Sequence, residues 1–224
     1  MRYNGRMENV RGKRALVVGG TSGIGLELAE ALHERGAVVT VTGTHEGGRI
    51  KASGIKFLRQ RFTLCNIMRP LPGKFRAALD SSQIACVCYG PFLQNSMSGT
   101  TPQEWRSMAL FNYALPGIIL SRLLAAMKKN GGGSIMVFGG TRTSSVNAFK
   151  TNAAYAGAKT GLSVLVKSAA QEGAPHGIRC NAVMPGFVTC APRGARLQSA
   201  RYVAEAALEL LLDEEKSGVL LDLA

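Results

Sequence analysis

Short apolar runs alternate along this chain with longer stretches in which apolar residues recur every three or four positions. The short runs, rich in β-branched side chains, predict strands at 14–18, 37–42, 84–88, 134–138, 178–184 and 218–223, with a further strand at either 55–58 or 61–64. The stretches with helical spacing predict helices at 23–36, 102–129, 153–172 and 204–215. Strands that alternate with helices indicate an α/β fold, in which helices cover both faces of a parallel sheet.

The whole chain is expected to form one domain, because 224 residues can bury a sizeable core and no repeat or linker divides residues 1–224. Apolar residues make up 46% and charged residues 18%, which is the composition of a globular and not of a disordered protein. No apolar run approaches the ~20 residues that span a bilayer, and no apolar signal-type stretch follows the basic N-terminus. We therefore expect a soluble, cytoplasmic protein with no membrane partner.

The five cysteines predict neither a disulfide framework nor a metal centre. Their number is odd and their spacing is not paired, which argues against disulfides. Cys86 and Cys88 lie two apart in an apolar run, but the histidines lie elsewhere in the sequence. Small buried side chains are therefore a better interpretation of this pair than metal ligands, and no metal site is expected.

Lysine and arginine outnumber aspartate and glutamate by 27 to 14, a net charge of +13, and the excess is concentrated in one stretch. Residues 45–76 contain eight lysines and arginines but only one acidic residue, Glu46. A solvated basic surface would explain this pattern, and so would a phosphate-bearing cofactor or an acidic carrier protein. Nucleic acid is the least favoured partner, because no nucleic-acid-binding motif is present and aromatic residues make up only 6%.

The segment VVGGTSGIG, residues 17–25, joins the first predicted strand to the first predicted helix. Its glycines allow a tight turn and a close approach of backbone to a ligand, while the helix N-terminus presents free N–H groups to a pyrophosphate. A turn used only for packing is the alternative, but the strand–turn–helix context favours a nucleotide site on a Rossmann-type, doubly wound sheet of about seven strands. The residues expected to contact the cofactor here are Gly19, Thr21, Ser22, Gly23, Ile24 and Gly25.

Four motifs along the chain together resemble those of the short-chain dehydrogenase/reductase family. They are Gly19-x-x-x-Gly23-x-Gly25, Asn112 within a predicted helix, Tyr155-x-x-x-Lys159, and Pro185-Gly186-x-x-Thr189 after the strand predicted at 178–184. The resemblance extends over almost the whole chain. Within the family, residues 153–188 look most like the 3-oxoacyl-acyl-carrier-protein reductases.

The resemblance implies that Tyr155 gives a proton to a carbonyl oxygen while a nicotinamide delivers hydride to the carbon. Lys159 lies four residues on, on the same helix face, and its ammonium would lower the pKa of Tyr155 by stabilising the phenolate. The resemblance also implies that Lys159 holds the nicotinamide ribose and that Asn112 places a water in a proton relay. Without the other motifs, this tyrosine and lysine would be an ordinary helix face. Further residues implied to contact the nucleotide are Gly90, Pro185, Gly186, Val188 and Thr189.

The residues at the end of the second predicted strand favour NADP(H) over NAD(H). A carboxylate at this position would bind the ribose hydroxyls of NAD and repel a 2′-phosphate. This chain has Gly43, Thr44 and His45 there, and Thr44 can donate a hydrogen bond to a phosphate, although Glu46 follows. Asn66, after the further predicted strand, aligns with the family's adenine-contacting acidic position, and its amide is expected to contact the base.

Several features depart from the family's pattern. VCYG, residues 87–90, replaces the usual Asn-Asn-Ala-Gly, so Tyr89 is expected to place bulk near the adenosine. The roughly twenty residues from Thr44 to Asn66 are too few for a full helix and a strand, which predicts a shortened crossover. Only a short segment follows Thr189 before the next helix, where members usually have a longer substrate lid. A short lid would suit a carrier-bound or bulky substrate, or would mean that substrate binding has decayed.

The hydroxyl that members place after the fifth strand has no clear counterpart in this sequence. Counting from Ile135 gives Gly140, and counting back thirteen residues from Tyr155 gives Arg142, so the loop carries an insertion. Thr141 is the hydroxyl nearest the strand end, and we predict that it is the missing donor. The alternative is that Thr141 only stabilises a turn and that Tyr155 works in a weakened site.

Two functions of different classes follow from these features. The first is an NADPH-dependent reductase of a carbonyl, with a 3-oxoacyl thioester as a candidate substrate. The second is a dinucleotide-binding protein with little or no turnover, acting as a sensor or assembly partner. The resemblance further implies a homo-dimer or homo-tetramer, in which the helices at 102–129 and 153–172 would pair through small residues: Ala153, Ala154, Ala156, Gly157, Ala158 and Gly161. Close packing of these residues onto the chain's own sheet is the alternative.

Overall fold

Seven parallel strands form one sheet in the computed structural model, which describes residues 9–188 and 197–223. The strands are β1 (Arg14–Val18), β2 (Val38–Gly43), β3 (Lys56–Arg59), β4 (Ile84–Val87), β5 (Gly133–Phe138), β6 (Ile178–Met184) and β7 (Leu220–Asp222). Their order across the sheet is β3-β2-β1-β4-β5-β6-β7, so the chain winds outward in both directions from β1 and β4. This order confirms the predicted doubly wound α/β fold.

Helices cover both faces of this sheet. They are α1 (Gly23–Glu34), α2 (Gly48–Ser53), α3 (Gly73–Ser81), α4 (Pro102–Ala109), α5 (Leu115–Lys129), α6 (Ala153–Gly173) and α7 (Ala200–Leu212). On one face, α1 and α7 bury their apolar residues in what we call the α1–α7 core. On the other face, α3, α5 and α6 do so in the α3–α5–α6 core.

Alternate residues of the central strands enter these two cores. In β1, Ala15 and Val17 pack into the α1–α7 core, while Leu16 and Val18 pack into the α3–α5–α6 core. A strand that is buried on both faces must be apolar at every position, which explains why these strands are continuous apolar runs. This packing fixes the sheet edge at which the loops that follow the strands emerge.

The predicted helix at 102–129 is present, but it contains an irregular turn. The backbone N–H of Thr101 donates to the Glu104 carboxylate at 2.8 Å and that of Glu104 donates to the Thr101 hydroxyl at 3.3 Å, a reciprocal cap. After α4 the chain forms a π-helical turn, Leu110–Ala114, before α5 begins. Such turns are frequent at functional positions, and this one contains Asn112. By length and composition the whole stretch could cross a membrane, but half of its most apolar window is buried within the chain.

The crossover from β2 to β3 is short, as predicted, since α2 has 6 residues and β3 has 4. β3 therefore corresponds to the run at 55–58 and not to the one at 61–64. Arg49 on α2 forms ion pairs with Glu27, at 2.8 Å, and with Glu30, both on α1. The first cation of the basic stretch is thus paired within the chain. The remaining cations of the stretch are exposed to solvent: Lys51, Lys56, Arg59, Arg61, Arg69, Lys74 and Arg76.

Candidate active site

The candidate site lies at the carboxyl-terminal edge of the sheet, where the loops that follow β1, β2, β4, β5 and β6 converge. In open α/β sheets, ligands bind at this edge, beside the point where the strand order reverses. In this sheet the reversal falls between β1 and β4. The loop after β1 is the glycine turn, and the loop after β4 begins at Cys88.

The glycine turn is packed too closely for larger residues at Gly19, Gly20 and Gly25. Gly19 has a left-handed backbone (φ +79), and a Cβ there would lie 3.0 Å from the Cys88 carbonyl oxygen. A Cβ on Gly25 would lie 2.4 Å from the Gly19 carbonyl oxygen. The turn is also tied to β2, because the N–H of Gly20 donates to the Thr42 carbonyl at 3.1 Å. The backbone is therefore held where it can approach a ligand closely.

The N-terminus of α1 is open to an anion. Ser22 precedes the first turn, its hydroxyl makes no capping bond, and no acidic side chain lies in that turn. Ser22 and Gly23 are exposed, so the free N–H groups and the positive end of the helix dipole can reach a ligand. Thr21 lies against Gly43 at the end of β2, and Ile24 packs on the α1–α7 core. These features fit the pyrophosphate of a nucleotide.

The end of β2 carries exposed polar residues and no carboxylate before Glu46. Thr44 and His45 are both exposed, and the Thr44 hydroxyl lies 3.0 Å from His45 Nδ1. A hydroxyl in this position can turn to donate to a phosphate. Glu46, which follows, is also exposed.

Asn66 does not lie where the sequence places it. β3 ends at Arg59, so Asn66 falls seven residues beyond the strand, in the loop before α3. Its side chain bonds within this loop: Oδ1 accepts from the Thr63 N–H at 2.7 Å, and Nδ2 donates to the Arg61 carbonyl at 3.0 Å. The expectation of an adenine contact is therefore corrected. The residue that directly follows β3 is Gln60, whose N–H donates to the Gly43 carbonyl at 2.9 Å.

Gly90, Asn112 and Lys159 lie together behind the loop that follows β4. A Cβ on Gly90 would lie 2.2 Å from Asn112 Oδ1 and 3.1 Å from Lys159 Nζ. Asn112 is fully buried; its Nδ2 donates to the Pro91 carbonyl at 3.0 Å, while its Oδ1 has no hydrogen-bond partner. Lys159, which is 4% exposed, donates to the Phe138 carbonyl at 2.9 Å. The structure thus brings together three of the residues that the motifs implied.

The pKa of Tyr155 shifts in the direction opposite to the one expected. Burial of the phenol raises the pKa of Tyr155 to about 12. Burial also lowers the pKa of Lys159 to about 8. Lys159 Nζ lies 6.0 Å from the centre of the Tyr155 ring and bonds to Phe138 instead. The expected lowering of the tyrosine pKa is therefore wrong for this structure, because the loss of water around the phenol outweighs the field of the lysine.

Gly140, and not Thr141, faces the tyrosine. A Cβ on Gly140 would lie 3.0 Å from the Tyr155 hydroxyl, so the count from β5 gives a position that lies beside the tyrosine. The hydroxyl of Thr141 points elsewhere and donates to the Pro185 carbonyl at 3.2 Å. The choice of Thr141 as the donor is therefore corrected. The longer loop contains two residues with left-handed backbone, Arg142 (φ 59) and Asn152 (φ 68).

Two other hydroxyls of this loop, those of Thr143 and Ser144, form hydrogen bonds with other groups of the chain. Thr143 is buried, accepts from the Gly140 N–H at 2.9 Å and donates to the Gly140 carbonyl at 2.7 Å. Ser144 donates to Asp222 at 2.6 Å. These bonds hold the backbone of position 140 in place but bring neither hydroxyl to Tyr155.

An aromatic side chain that the motifs do not include lies directly on the tyrosine. The rings of Phe92 and Tyr155 meet edge to face, with centroids 5.0 Å apart. Tyr89, expected near the adenosine, instead packs edge to face with Phe62 and Phe111 in the α3–α5–α6 core. In the sequence, Phe92 is linked to the site only by its place two residues after Gly90, which does not show that its ring meets Tyr155.

The loop after β6 lies beside the loop after β5. Pro185 is buried, and its carbonyl accepts the hydrogen bond from the Thr141 hydroxyl. The Gly186 N–H donates to Gln198 Oε1 at 2.9 Å. Val188 is half-buried against the α1–α7 core. Thr189 and the short lid up to residue 196 lie outside the described residues.

A cavity of about 490 Å³ lies at the opposite, amino-terminal edge of the sheet and is separate from this site. Polar groups that line it already bond within the chain. Gln83 Oε1 accepts from the Arg14 N–H at 3.2 Å, and Asn130 Nδ2 donates to the Asp80 carbonyl at 2.8 Å. None of the described residues of the four motifs lines this cavity.

Comparisons with known proteins agree with this geometry. A family model described as Enoyl-(Acyl carrier protein) reductase matches residues 18–214. The 3-oxoacyl-acyl-carrier-protein reductase FabG of Escherichia coli (strain K12) is 32% identical over 185 residues, covering 80% of this chain and 75% of that protein. The acetoacetyl-CoA reductase of Synechocystis sp. is 30% identical over 185 residues, covering 79% of this chain and 72% of that protein.

The fold also has a counterpart among solved structures. A short chain dehydrogenase/reductase family protein superposes with a TM-score of 0.82 at 23% identity, over 96% of each chain. At this identity the likeness concerns the fold alone. Together with the family model and the relatives, it leads to one conclusion: the chain belongs to the short-chain dehydrogenase/reductase family of oxidoreductases.

Proposed function

We propose that this protein is an NADPH-dependent reductase that converts a carbonyl group to an alcohol. The observation that carries the proposal is the buried cluster of Gly90, Asn112 and Lys159 beside Tyr155, at the same sheet edge as the glycine turn. The cluster contains a cation and an amide oxygen without a partner, next to a phenol that can donate a proton. The names of the relatives, a 3-oxoacyl-acyl-carrier-protein reductase and an acetoacetyl-CoA reductase, support a 3-oxoacyl thioester as a candidate substrate.

The residues present fit a nicotinamide dinucleotide. The glycine turn and Ser22 would hold the pyrophosphate, as the free helix N-terminus favours an anion. Lys159 would hold the nicotinamide ribose. The nucleotide, when bound, supplies the hydride. The remaining contacts are proposed for Gly90, Pro185, Gly186, Val188 and Thr189.

Tyr155 is the proposed proton donor. With its pKa raised to about 12 by burial, the phenol stays protonated at neutral pH and can give its proton to the substrate oxygen as negative charge develops there. Lys159, with a pKa lowered to about 8, is still largely protonated at neutral pH and is the nearby cation that stabilises the phenolate left behind. Asn112 Oδ1 can accept a hydrogen bond from a water that returns the proton.

The preference for NADP(H) is proposed from the end of β2. Thr44 is exposed, no carboxylate lies between Gly43 and His45, and the neighbouring surface carries an excess of cations. A 2′-phosphate would meet a hydroxyl donor and a positive field there, and the repulsion that a carboxylate would exert is absent.

Association between copies of the chain is proposed for the face formed by the π-helical turn and α6. On α6, Gly157 has open space around it and Val164 is 63% exposed, while the Tyr113 ring of the π-helical turn covers Gly161. Ala154 and Ala156 are buried within the chain, so they are not available for pairing. The part of this face that is open to a partner is therefore smaller than the sequence suggests. It still carries the exposed side chains of Val164 and Tyr113. We propose that copies of the chain associate through this face as a homo-dimer or homo-tetramer.

A dinucleotide-binding protein with little turnover is the second candidate, and a specific observation favours it. Position 140, which faces the Tyr155 hydroxyl, has no side chain, and the hydroxyls of Thr141, Thr143 and Ser144 bond elsewhere. A site without this donor loses stabilisation of the developing oxyanion. Such a protein would act as a sensor or as an assembly partner.

Replacement of Tyr155 by phenylalanine tests the reductase directly. The change removes the proton donor but keeps the ring, so we expect kcat to fall by about 10²-fold or more while NADPH still binds. NADPH oxidation would be followed with 3-oxoacyl thioesters, ketones and quinones, and binding by calorimetry. Tyr202→Phe, at an exposed tyrosine of α7, is the matched control. Turnover by Tyr155→Phe at the parent rate would refute the proposed role.

Replacement of Gly140 by serine distinguishes the two candidate functions. A hydroxyl at this position would lie beside Tyr155, so Gly140→Ser should raise kcat by at least tenfold, part of the roughly 10²–10³-fold effect of an oxyanion donor. Gly140→Ala adds the Cβ without the hydroxyl and should give no gain. Thr141→Val should change kcat by less than about threefold, since this hydroxyl bonds to Pro185. A protein that turns over only as Gly140→Ser would be a nucleotide binder in its natural form.

Replacement of Thr44 by aspartate should reverse the nucleotide preference. We expect the parent protein to bind NADPH more tightly than NADH in calorimetric titrations, because a 2′-phosphate meets no carboxylate at the end of β2. The aspartate would repel that phosphate and accept bonds from the free ribose hydroxyls. Gln171→Glu, at an exposed position of α6, makes the same change in net charge and should leave the preference unaltered. Equal affinity of the parent protein for both nucleotides would contradict the proposal.

Replacement of Val164 by glutamate tests the proposed association. A charge buried between two copies is costly, so Val164→Glu should lower the mass measured by light scattering at micromolar concentration towards that of one chain. Met68→Glu changes a side chain of similar exposure, 68% against 63%, outside the proposed face and should leave the mass unchanged. A parent protein that is already a monomer at this concentration would rule the association out.

A further inference from the structure

Phe92 combines two properties that its own packing does not require. Its ring contacts the Tyr155 ring edge to face, with centroids 5.0 Å apart and planes at 78°. Half of the side chain, 50%, is nevertheless exposed to solvent. A large apolar side chain that stays half exposed gains less from burial than a core residue does, and here its ring contacts the ring of the proposed proton donor.

The backbone around Phe92 is held by the site itself. Gly90 has no space for a side chain, because Asn112 Oδ1 and Lys159 Nζ lie against it. Pro91 has a restricted φ, and its carbonyl accepts a bond from Asn112 Nδ2 at 3.0 Å. The position of Phe92 relative to Tyr155 is therefore set by the same buried residues that form the cluster.

A second tie holds the loop from the other side. The Asn152 N–H, three residues before Tyr155, donates to the Asn95 carbonyl at 2.8 Å. The loop that carries Phe92 is thus bonded both to the π-helical turn and to the residue that precedes α6. Because the loop is bonded on both sides of Phe92, the Phe92 side chain can form a fixed wall of the site.

A carbonyl bound at the Tyr155 hydroxyl would lie near the Phe92 ring, because the rings of Phe92 and Tyr155 are in contact. A group attached to the carbonyl carbon would then be within reach of the half-exposed Phe92 side chain. Aromatic rings gain stabilisation from contact with other aromatic rings beyond the area that they bury. A puckered, saturated group of the same size gains only the stabilisation that comes from the apolar area it buries.

We propose that Phe92 is a specificity-determining residue and that the substrate carries a flat, π-bonded group directly on its carbonyl carbon, as an aryl ketone or a quinone does. This inference rests on the proposed reductase function and narrows it. It favours such substrates over a 3-oxoacyl thioester, in which saturated carbon flanks the reacting carbonyl.

The kinetic test uses two ketones with the same bicyclic skeleton, 1-tetralone, which has an aromatic ring on its carbonyl carbon, and 1-decalone, which is saturated. Phe92→Ala should lower kcat/KM for 1-tetralone by about threefold to tenfold, mainly through KM, and change kcat/KM for 1-decalone by much less. Comparison between variants cancels the different intrinsic reactivity of the two ketones. Phe149→Ala removes another phenylalanine, from the loop after β5, and should leave the ratio between the two ketones unchanged.

A binding test does not depend on turnover. The parent protein should bind 2-naphthol at least about threefold more tightly than 2-decalol in calorimetric titrations. This difference should disappear in Phe92→Ala and persist in Phe149→Ala. Neither probe is reduced, so the measurement reports recognition alone.

The outcomes separate this inference from the proposed function. If the parent protein reduces carbonyls but Phe92→Ala affects both ketones equally, the inference is overturned and the reductase remains. If no carbonyl is reduced but the preference for 2-naphthol is lost in Phe92→Ala, the reductase fails and the recognition of a flat group stands. Equal binding of 2-naphthol and 2-decalol by the parent protein overturns the inference in either case.

Discussion

The hydrogen bond from the buried Lys159 ammonium to the Phe138 carbonyl is the interaction around which the site is organised. It joins α6 to the end of β5 and holds a cation that is almost entirely shielded from solvent. Burial of an ammonium is costly, which is why the pKa of Lys159 falls to about 8. The residues packed against it are accordingly small or polar: Gly90 leaves space for Nζ, and Asn112 adds an amide in the same pocket. The loop after β4 and the π-helical turn thus take their positions from one buried charge.

Much of the fold could be predicted from the sequence, because the signals for it are local. β1 is a run of apolar residues buried on both faces. The two residues that cap α4, Thr101 and Glu104, lie within four consecutive positions. The glycine turn is equally local, since Gly19 and Gly25 meet within a single turn. Where two local signals competed, as at 55–58 and 61–64, composition could not decide between them. The edge position of β3 beside β2 decided it, and that pairing is a contact between distant segments.

The errors concern residues whose role depends on where a loop folds. Thr141 is the hydroxyl nearest the strand in sequence, but the chain turns so that Gly140 faces Tyr155 and Thr141 reaches Pro185. The pKa of Tyr155 is raised, and not lowered as the sequence predicts, for a related reason. Sequence spacing shows that a lysine is near, but it does not show how much water the fold removes from the phenol. Phe92 was missed because only the folded loop brings its ring onto the tyrosine.

The exposed cations that follow β2 bear on how quickly a ligand arrives. Between residues 47 and 79 the chain has no acidic residue, and β3, which ends at Arg59, has its carboxyl-terminal end at the same sheet edge as the glycine turn. With Arg49 engaged by α1, the lysines and arginines beyond it face solvent and give this side of the molecule a positive potential. Such a potential raises the rate of encounter with anionic molecules, and dissolved salt reduces it, with a screening length of about 8 Å at physiological ionic strength. The basic surface would therefore concentrate phosphate-bearing molecules near the site before any specific contact forms, whichever of them the site then retains.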